Sequence, residues 1–338
     1  MGVSSPHDAL FKFVFAHPED AASELRAVLP LELSQRLDWS SLTPQPANFV
    51  DERLSGRQAD LLFSIRCEGR QTFLYVLFEH QSTNDPLMAF RLLRYMVRIW
   101  DSFLAAHPQS LRLPAILPVV LHHSDMGWTA ATDLASLIDV DAEMLSNAGS
   151  YIPQFRFIVD DLSGVDDHTL RARSLTNTAV IGLVLLSRAR NDANLVAELR
   201  RWLGALRQIA LARNGLGVLS AFLRYALQVG EVQPEELRQL ALEIGPVAQE
   251  AYVTAAQILT KESYAQGRAE GEARGKAEGK AEGKVEGKAE LLVRLLGLRF
   301  GPLPDAIRER IAHATHDDLD VWAERIITGA NLEEVLSR

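Results

Sequence analysis

The chain has 338 residues, 47% of them apolar, and a formal net charge of −9. That is apolar material enough for one large domain or two, while the acidic balance excludes a global basic field, so any nucleic acid must be held by a local patch. A single cysteine, Cys67, excludes an intramolecular disulfide and a cysteine-cluster zinc site, and no apolar run is long enough to cross a bilayer.

From the N-terminus, residues 1–6 lack the basic start and apolar core of a signal peptide, so the expectation is a soluble, cytoplasmic protein with no membrane partner. Ser5 followed by Pro6 predicts a helix start, and Leu10, Phe11, Val14 and Phe15 fall at helical spacing as its buried stripe. A second helix is predicted over 19–29, stopping at Pro30. The stretch 37–48, with two prolines, reads as a loop or an edge segment, and 49–54 as a short strand.

The next stretch, 58–81, consists of two runs of β-branched, aromatic and aliphatic residues around the break Cys67-Glu68-Gly69-Arg70-Gln71. This is the pattern of a β-hairpin. With Gly69 and Arg70 as the central turn residues, Asp60 stands directly opposite Glu79, where residues share a face with Cβ atoms roughly 5 Å apart. Strand alternation turns Gln81 the same way as Glu79 and His80 the other way. Two opposed carboxylates repel, at a cost of up to about 1 kcal/mol, and a hard divalent cation removes that cost because it takes carboxylate and carbonyl oxygens. The bland alternative is two solvated edge carboxylates that never meet.

After a turn at 82–86, a helix is predicted over 87–106. Leu87, Phe90, Leu93, Met96, Val97, Trp100 and Leu104 keep its apolar period, with Arg91, Arg94 and Arg98 in a row on the other face. That basic row is placed to hold phosphate, or else is a solvated face.

Here the residues resemble a known family. His7-Asp8-Ala9-Leu10-Phe11-Lys12, Phe49-Val50-Asp51-Glu52, Ala59-Asp60-Leu61-Leu62, Glu79-His80-Gln81-Ser82 and Phe90-Arg91-Leu92-Leu93-Arg94-Tyr95 resemble the Rpn family of recombination-promoting nucleases and putative transposases, within the PD-(D/E)XK nuclease superfamily. The resemblance runs from about residue 7 to about 290. It implies an α/β fold, a PD-(D/E)XK restriction-endonuclease-like mixed sheet flanked by helices, and a metal-dependent deoxyribonuclease acting in DNA recombination. It further implies Asp60, Glu79 and Gln81 as catalytic residues, and Mg²⁺ (or Mn²⁺ or Ca²⁺) held by Asp60, Glu79 and the His80 carbonyl. Arg91 and Arg94 would hold substrate phosphate, with Tyr95 and Asp8 in support. One departure stands out: the superfamily's lysine position is Gln81, and a neutral amide can hydrogen-bond but supplies no charge.

Further along, 113–121 reads as a central strand weakened by Pro118, ending at His122-His123, whose adjacent side chains point apart. A further strand over 155–159 closes at Asp160-Asp161. From 168 to 260 the chain reads as helices over 170–188, 195–212, 216–227 and 235–242. Residues 267–290 form a four-residue repeat of the type Gly-Lys-Ala-Glu, with i, i+4 pairs expected at Glu270–Arg274 and Glu272–Lys276. Each glycine costs about 1 kcal/mol against alanine, leaving two outcomes: a solvated connector, or a helix packed against another copy as a homo-oligomer. The expected organisation is a nuclease-like core over 1–165, a helical subdomain over 166–260, the repeat over 261–290 and a small helical C-terminal domain over 291–338.

Three functions fit these residues. The first is a divalent-metal DNA endonuclease. The second is a catalytically weak or inactive nuclease fold that serves as a DNA-binding or assembly scaffold, which Gln81 and the acidic charge favour. The third is a transposase with three dispersed acids on an RNase H-like sheet, which needs a third acid such as Asp160 close to Asp60.

Overall fold

The computed structural model describes residues 5–46, 60–67, 70–189 and 194–337; for residues 60, 70–81, 142, 266 and 277 it describes the backbone alone. In chain order the elements are α1 (Pro6–Phe15), α2 (Pro18–Val28), α3 (Leu31–Ser34), β1 (Leu37–Gln45), β2 (Asp60–Cys67), β3 (Arg70–Gln81), α4 (Met88–Ala106), β4 (Ala115–His122), α5 (Ala142–Ala148) and β5 (Ile158–Asp161). Then follow α6 (Asp167–Ala172), α7 (Asn177–Arg188), α8 (Leu195–Arg201), α9 (Leu203–Leu211), α10 (Gly215–Val229), α11 (Pro234–Ile244), α12 (Pro246–Phe300), α13 (Asp305–Ala312), α14 (His316–Thr328) and α15 (Leu332–Val335). The chain is a mixed α/β protein, and its contacts divide it once, into Met1–Leu259 and Thr260–Arg338.

The first unit opens as its sequence dictates. Ser5 caps α1, its hydroxyl accepting from the Asp8 amide, and Pro6 occupies the first turn. Leu10, Phe11, Val14 and Phe15 are all buried. Among the described residues five strands form one sheet in the order β1-β2-β3-β4-β5. The first three run antiparallel and β3, β4 and β5 run parallel, so the chain must cross over between β3 and β4, which α4 does. Pro44 sits in edge strand β1, where a residue without an N–H is tolerated. Pro118 sits in β4 one residue short of where β5 begins to pair, so β4 has a neighbour on only one side there. The strand expected over 49–54 lies outside the described residues.

Alternating residues of the sheet feed two cores. Phe63, Ile65, Val119 and Leu121 pack with α1, α2 and the helices α7 to α11; Leu62, Ile116 and Val120 pack with α4. The helices after β5 therefore cover one face of the sheet and share its core, and the boundary expected at 165/166 is not one that the contacts draw. α1 and α7 approach closely at Gly182, where a Cβ would come within 2.9 Å of a Val14 methyl. The helix expected over 170–188 is two: α6 ends at Ala172 with Arg173 as its C-cap, and Thr176 caps α7 by accepting from the Ala179 amide. The stretch expected over 195–212 likewise breaks at Trp202.

In the second unit α12 carries the repeat as continuous helix. The described side chains over 261–284 are exposed, and a Cβ on any repeat glycine would meet open space. Ion pairs there include Arg268–Glu272 and Arg274–Glu278, in which arginine precedes glutamate by four residues. The unit buries its own small core of Leu292, Leu296, Ile311, Leu319, Trp322 and Val335, with α14 opened by a Thr315–Asp318 capping box.

Candidate active site

The hairpin pairs Asp60 with Glu79, and the same register runs on through Arg66 opposite Phe73. The turn itself differs from expectation. Arg70 already belongs to β3, opposite Cys67, and an irregularity next to Arg66 absorbs extra residues on β3. This bulge restores the predicted register although the turn falls one residue earlier. Across the parallel strands, Glu79 lines up with Val120, Gln81 with His122, and His122 with Asp161; His80 lines up with Leu121, and Leu121 with Asp160. Leu62, two residues on from Asp60, and Val120, the register partner of Glu79, both belong to the core beneath α4. Backbone alternation thus assigns the Asp60–Glu79–Gln81 positions to the α4 face and His80 to the opposite one.

The helix over that face is turned differently from expectation. Its buried stripe is Met88, Ala89, Leu92, Tyr95, Met96 and Ile99, while Leu87, Phe90, Val97 and Leu104 are exposed. α4 is apolar on two faces, and periodicity cannot choose between two stripes of similar spacing. The consequence for the basic row is direct. Tyr95 is buried against the sheet, Arg91 flanks that face with its guanidinium 2.8 Å from Asp85, and Arg98 stands two turns on from Arg91. Arg94 is exposed and nearly opposite the buried stripe, so the structure does not bring it to the Asp60 face.

The loops after β3, β4 and β5 form a hydrogen-bonded rim beside these strand ends. The Asn84 side chain donates to the Gly127 carbonyl and accepts from the Thr129 amide, both at 2.8 Å. Asp161 accepts from the Trp128 and Ser163 amides at 2.7 and 3.0 Å. Burial works against its charge, but these bonds outweigh it and hold the carboxyl below its ordinary range. Gly127, at φ 70°, makes the tight turn that a side chain would resist. Ser124, Gly127, Ser163 and Arg188 line a cavity of about 480 Å³ just outside this rim.

The two histidines diverge, as adjacent strand residues must. The His122 Nε2 is 2.8 Å from Ser124 Oγ and its ring stands edge-on to Trp128. His123 lies against His7, whose Nδ1 is 2.6 Å from the Tyr225 hydroxyl. Asp8 remains half-buried in the first turn of α1.

Asp160 has a different fate from the one a three-acid site needs. On the face beneath α1 and α2, its carboxylate takes both guanidinium nitrogens of Arg173, at 2.8 and 2.9 Å, and Arg173 also reaches Glu24 at 3.1 Å. Glu24 is fully buried; burial first, and the neighbouring Asp160 second, push its carboxyl well above the usual carboxylate range. These two acids are occupied by a guanidinium on the face opposite the Asp60 position. Nothing in the sequence links positions so far apart, and Arg173 was not among the expected functional residues. Among the described side chains, no three His, Cys, Asp or Glu groups gather as a metal site would require; those of Asp60 and Glu79 lie outside that set.

The profile of the YhgA-like putative transposase family matches residues 5–215. The chain is 38% identical over 120 residues to recombination-promoting nuclease RpnD of Escherichia coli O157:H7, covering 36% of this chain and 46% of the relative. It is 34% identical over 122 residues to recombination-promoting nuclease RpnC of Escherichia coli K12, covering 36% and 40%. It thus spans less than half the length of each. A longer match, 26% identical over 268 residues and covering 78% and 84%, is to the inactive recombination-promoting nuclease-like protein RpnE of the same strain. No solved structure matches.

Proposed function

Since the chain belongs to the YhgA-like putative transposase family, we propose that it is a recombination-linked, divalent-metal-dependent DNA endonuclease of PD-(D/E)XK fold. The observation that carries this is the register that sets Asp60 across from Glu79 on the face covered by α4. Relatives named as recombination-promoting nucleases support it, as does the order of three antiparallel strands, a helix and a parallel strand.

In this reading Asp60, Glu79 and the His80 carbonyl hold Mg²⁺ (or Mn²⁺ or Ca²⁺). When bound, such an ion supplies Lewis acidity to a phosphoryl oxygen and a water of lowered pKa. Gln81 orients that water by a hydrogen bond without adding charge, which makes a slower enzyme than a lysine would. Arg91 steadies a phosphate once it exchanges Asp85 for DNA, and Tyr95 buttresses the site from α4, whereas Asp8 stands on α1, over the opposite face of the sheet. The protein works on DNA in the cytoplasm, and the repeat helix is a surface through which copies can associate.

The test is nicking of supercoiled plasmid with Mg²⁺ or Mn²⁺ by the wild type, Asp60→Ala and Glu79→Ala. Cleavage by the wild type alone is the expected result; equal cleavage by all three ends the proposal. A second reading, an inactive nuclease fold acting as a DNA-binding scaffold, draws on the long match to RpnE and on Gln81. DNA binding indifferent to chelator, with no cleavage by the wild type, would select it.

A further inference from the structure

The side of α4 that faces away from the sheet carries an apolar strip that stays exposed among the described residues. Phe90, Val97 and Leu104 are 49%, 44% and 38% exposed. Leu93 and Trp100 lie half-buried between them and lean back onto the core beneath α4, so the row at alternating spacings of three and four joins that core to the exposed strip. That is the spacing of a helix face that packs along another helix. Two exposed charges border the row, Arg94 and Asp101, one on each side of Val97.

We propose that this face is a homodimer interface in which α4 lies antiparallel to α4 of a second copy, with Val97 on the two-fold axis. A two-fold contact is self-complementary, so whatever residue i meets in the other copy meets residue i in return. Laid antiparallel about Val97, Phe90 of each copy meets Leu104 of the other, and Arg94 of each comes beside Asp101 of the other. The charges choose the direction: Arg94 and Asp101 lie on the same edge of the row, so an antiparallel pair sets each beside its opposite in the other copy, whereas a parallel pair in register would carry the two copies' charges to opposite edges and pair neither. The occupant is therefore a second copy of this chain, because the surface carries its own complement. One helix pair falls short of a standard interface of about 1,600 Å², so the dissociation constant belongs in the micromolar range. This inference does not rest on the nuclease reading.

The experiment is sedimentation equilibrium of the full chain over concentrations that span the micromolar range. The wild type should pass from monomer to dimer. Arg94→Asp alone, or Asp101→Arg alone, should weaken association at least about tenfold by placing like charges together, and the two combined should restore it. Both residues are exposed, so neither change threatens folding. A cysteine variant gives an independent reading: in a Cys67→Ser background, Val97→Cys should cross-link to a disulfide dimer under mild oxidation, since residue 97 faces its own copy across the axis. A monomer at all concentrations overturns the proposal. So does a double reversal as weak as either single one, or a Val97→Cys chain that fails to cross-link. Association that ignores both reversals, as contact through α12 would, overturns it too.

Discussion

On the face of the sheet beneath α1 and α2, Glu24 and Asp160 close on one guanidinium from Arg173. On the face beneath α4, the register sets Asp60 across from Glu79. Both faces of the sheet hold a pair of acids, one pair reaching Asp160 on β5 from Glu24 on α2, but only that pair is a described cluster whose charge is answered from within the chain. A buried pair of acids with its own arginine serves the fold, because removing the cation strands a buried anion. Acids opposed across a hairpin do nothing for stability, since like charges there are mildly destabilising. The difference separates a structural cluster from a candidate catalytic one.

The largest expected effect breaks the comparison outright if it fails. Asp60→Ala and Glu79→Ala should each lower metal-dependent cleavage at least about a thousandfold, worth about 4 kcal/mol of transition-state stabilisation. Urea unfolding of the same variants should show unchanged stability or a gain of up to about 1 kcal/mol. A large loss of stability would make these acids structural like the other pair. Conversely, Arg173→Ala should cost about 3–5 kcal/mol in urea denaturation, because the buried Asp160 carboxylate stays behind uncompensated beside Glu24.

Gly182→Ala tests the helical layer over that same structural face. The added methyl meets Val14 at 2.9 Å, and overpacking should outweigh the gain in helix propensity, for a net loss of about 1–2 kcal/mol. Activity below the unfolding transition should not change. The smallest effect is one of pH. Because Glu24 titrates well above the ordinary range in the folded chain, the folded state keeps a proton that the unfolded chain releases. Its contribution is full below the unfolded pKa and is lost as pH rises through the raised folded value. Glu24→Gln should flatten that decline, leaving the thermal midpoint at pH 8 equal to or slightly above that of the wild type. A midpoint that falls at pH 8 would mean that the ion pair outweighs burial.

How much of this could be read from residues alone depended on whether the signal was local. The hairpin was legible because two alternating apolar runs flank one glycine-bearing break, and its register survived a misplaced turn because the bulge took up the difference. α1 was legible from Ser5, Pro6 and four apolar residues. α4 was placed correctly but turned wrongly, since its row at 90, 93, 97, 100 and 104 is as periodic as the one it buries. The prolines left β1 open between a loop and an edge segment, and the fold makes it an edge strand; the break at Trp202 has only Gly204, two residues on, to announce it. The link from Glu24 to Arg173 is made only by the fold. Within the site, the sequence expected Arg94 beside Arg91; a helix presents each to a different side, and only Arg91 stays with the sheet.

The glycine-bearing tetrads of α12 have one more implication. Four residues advance a helix by about 6 Å and carry it about 40° past a full turn. Gain or loss of one tetrad therefore leaves the helical hydrogen bonds intact. It changes the reach of the rod by a fixed increment and its azimuth by a fixed angle. Whole tetrads can thus be added or removed without unfolding the segment, as divisions of a ruler.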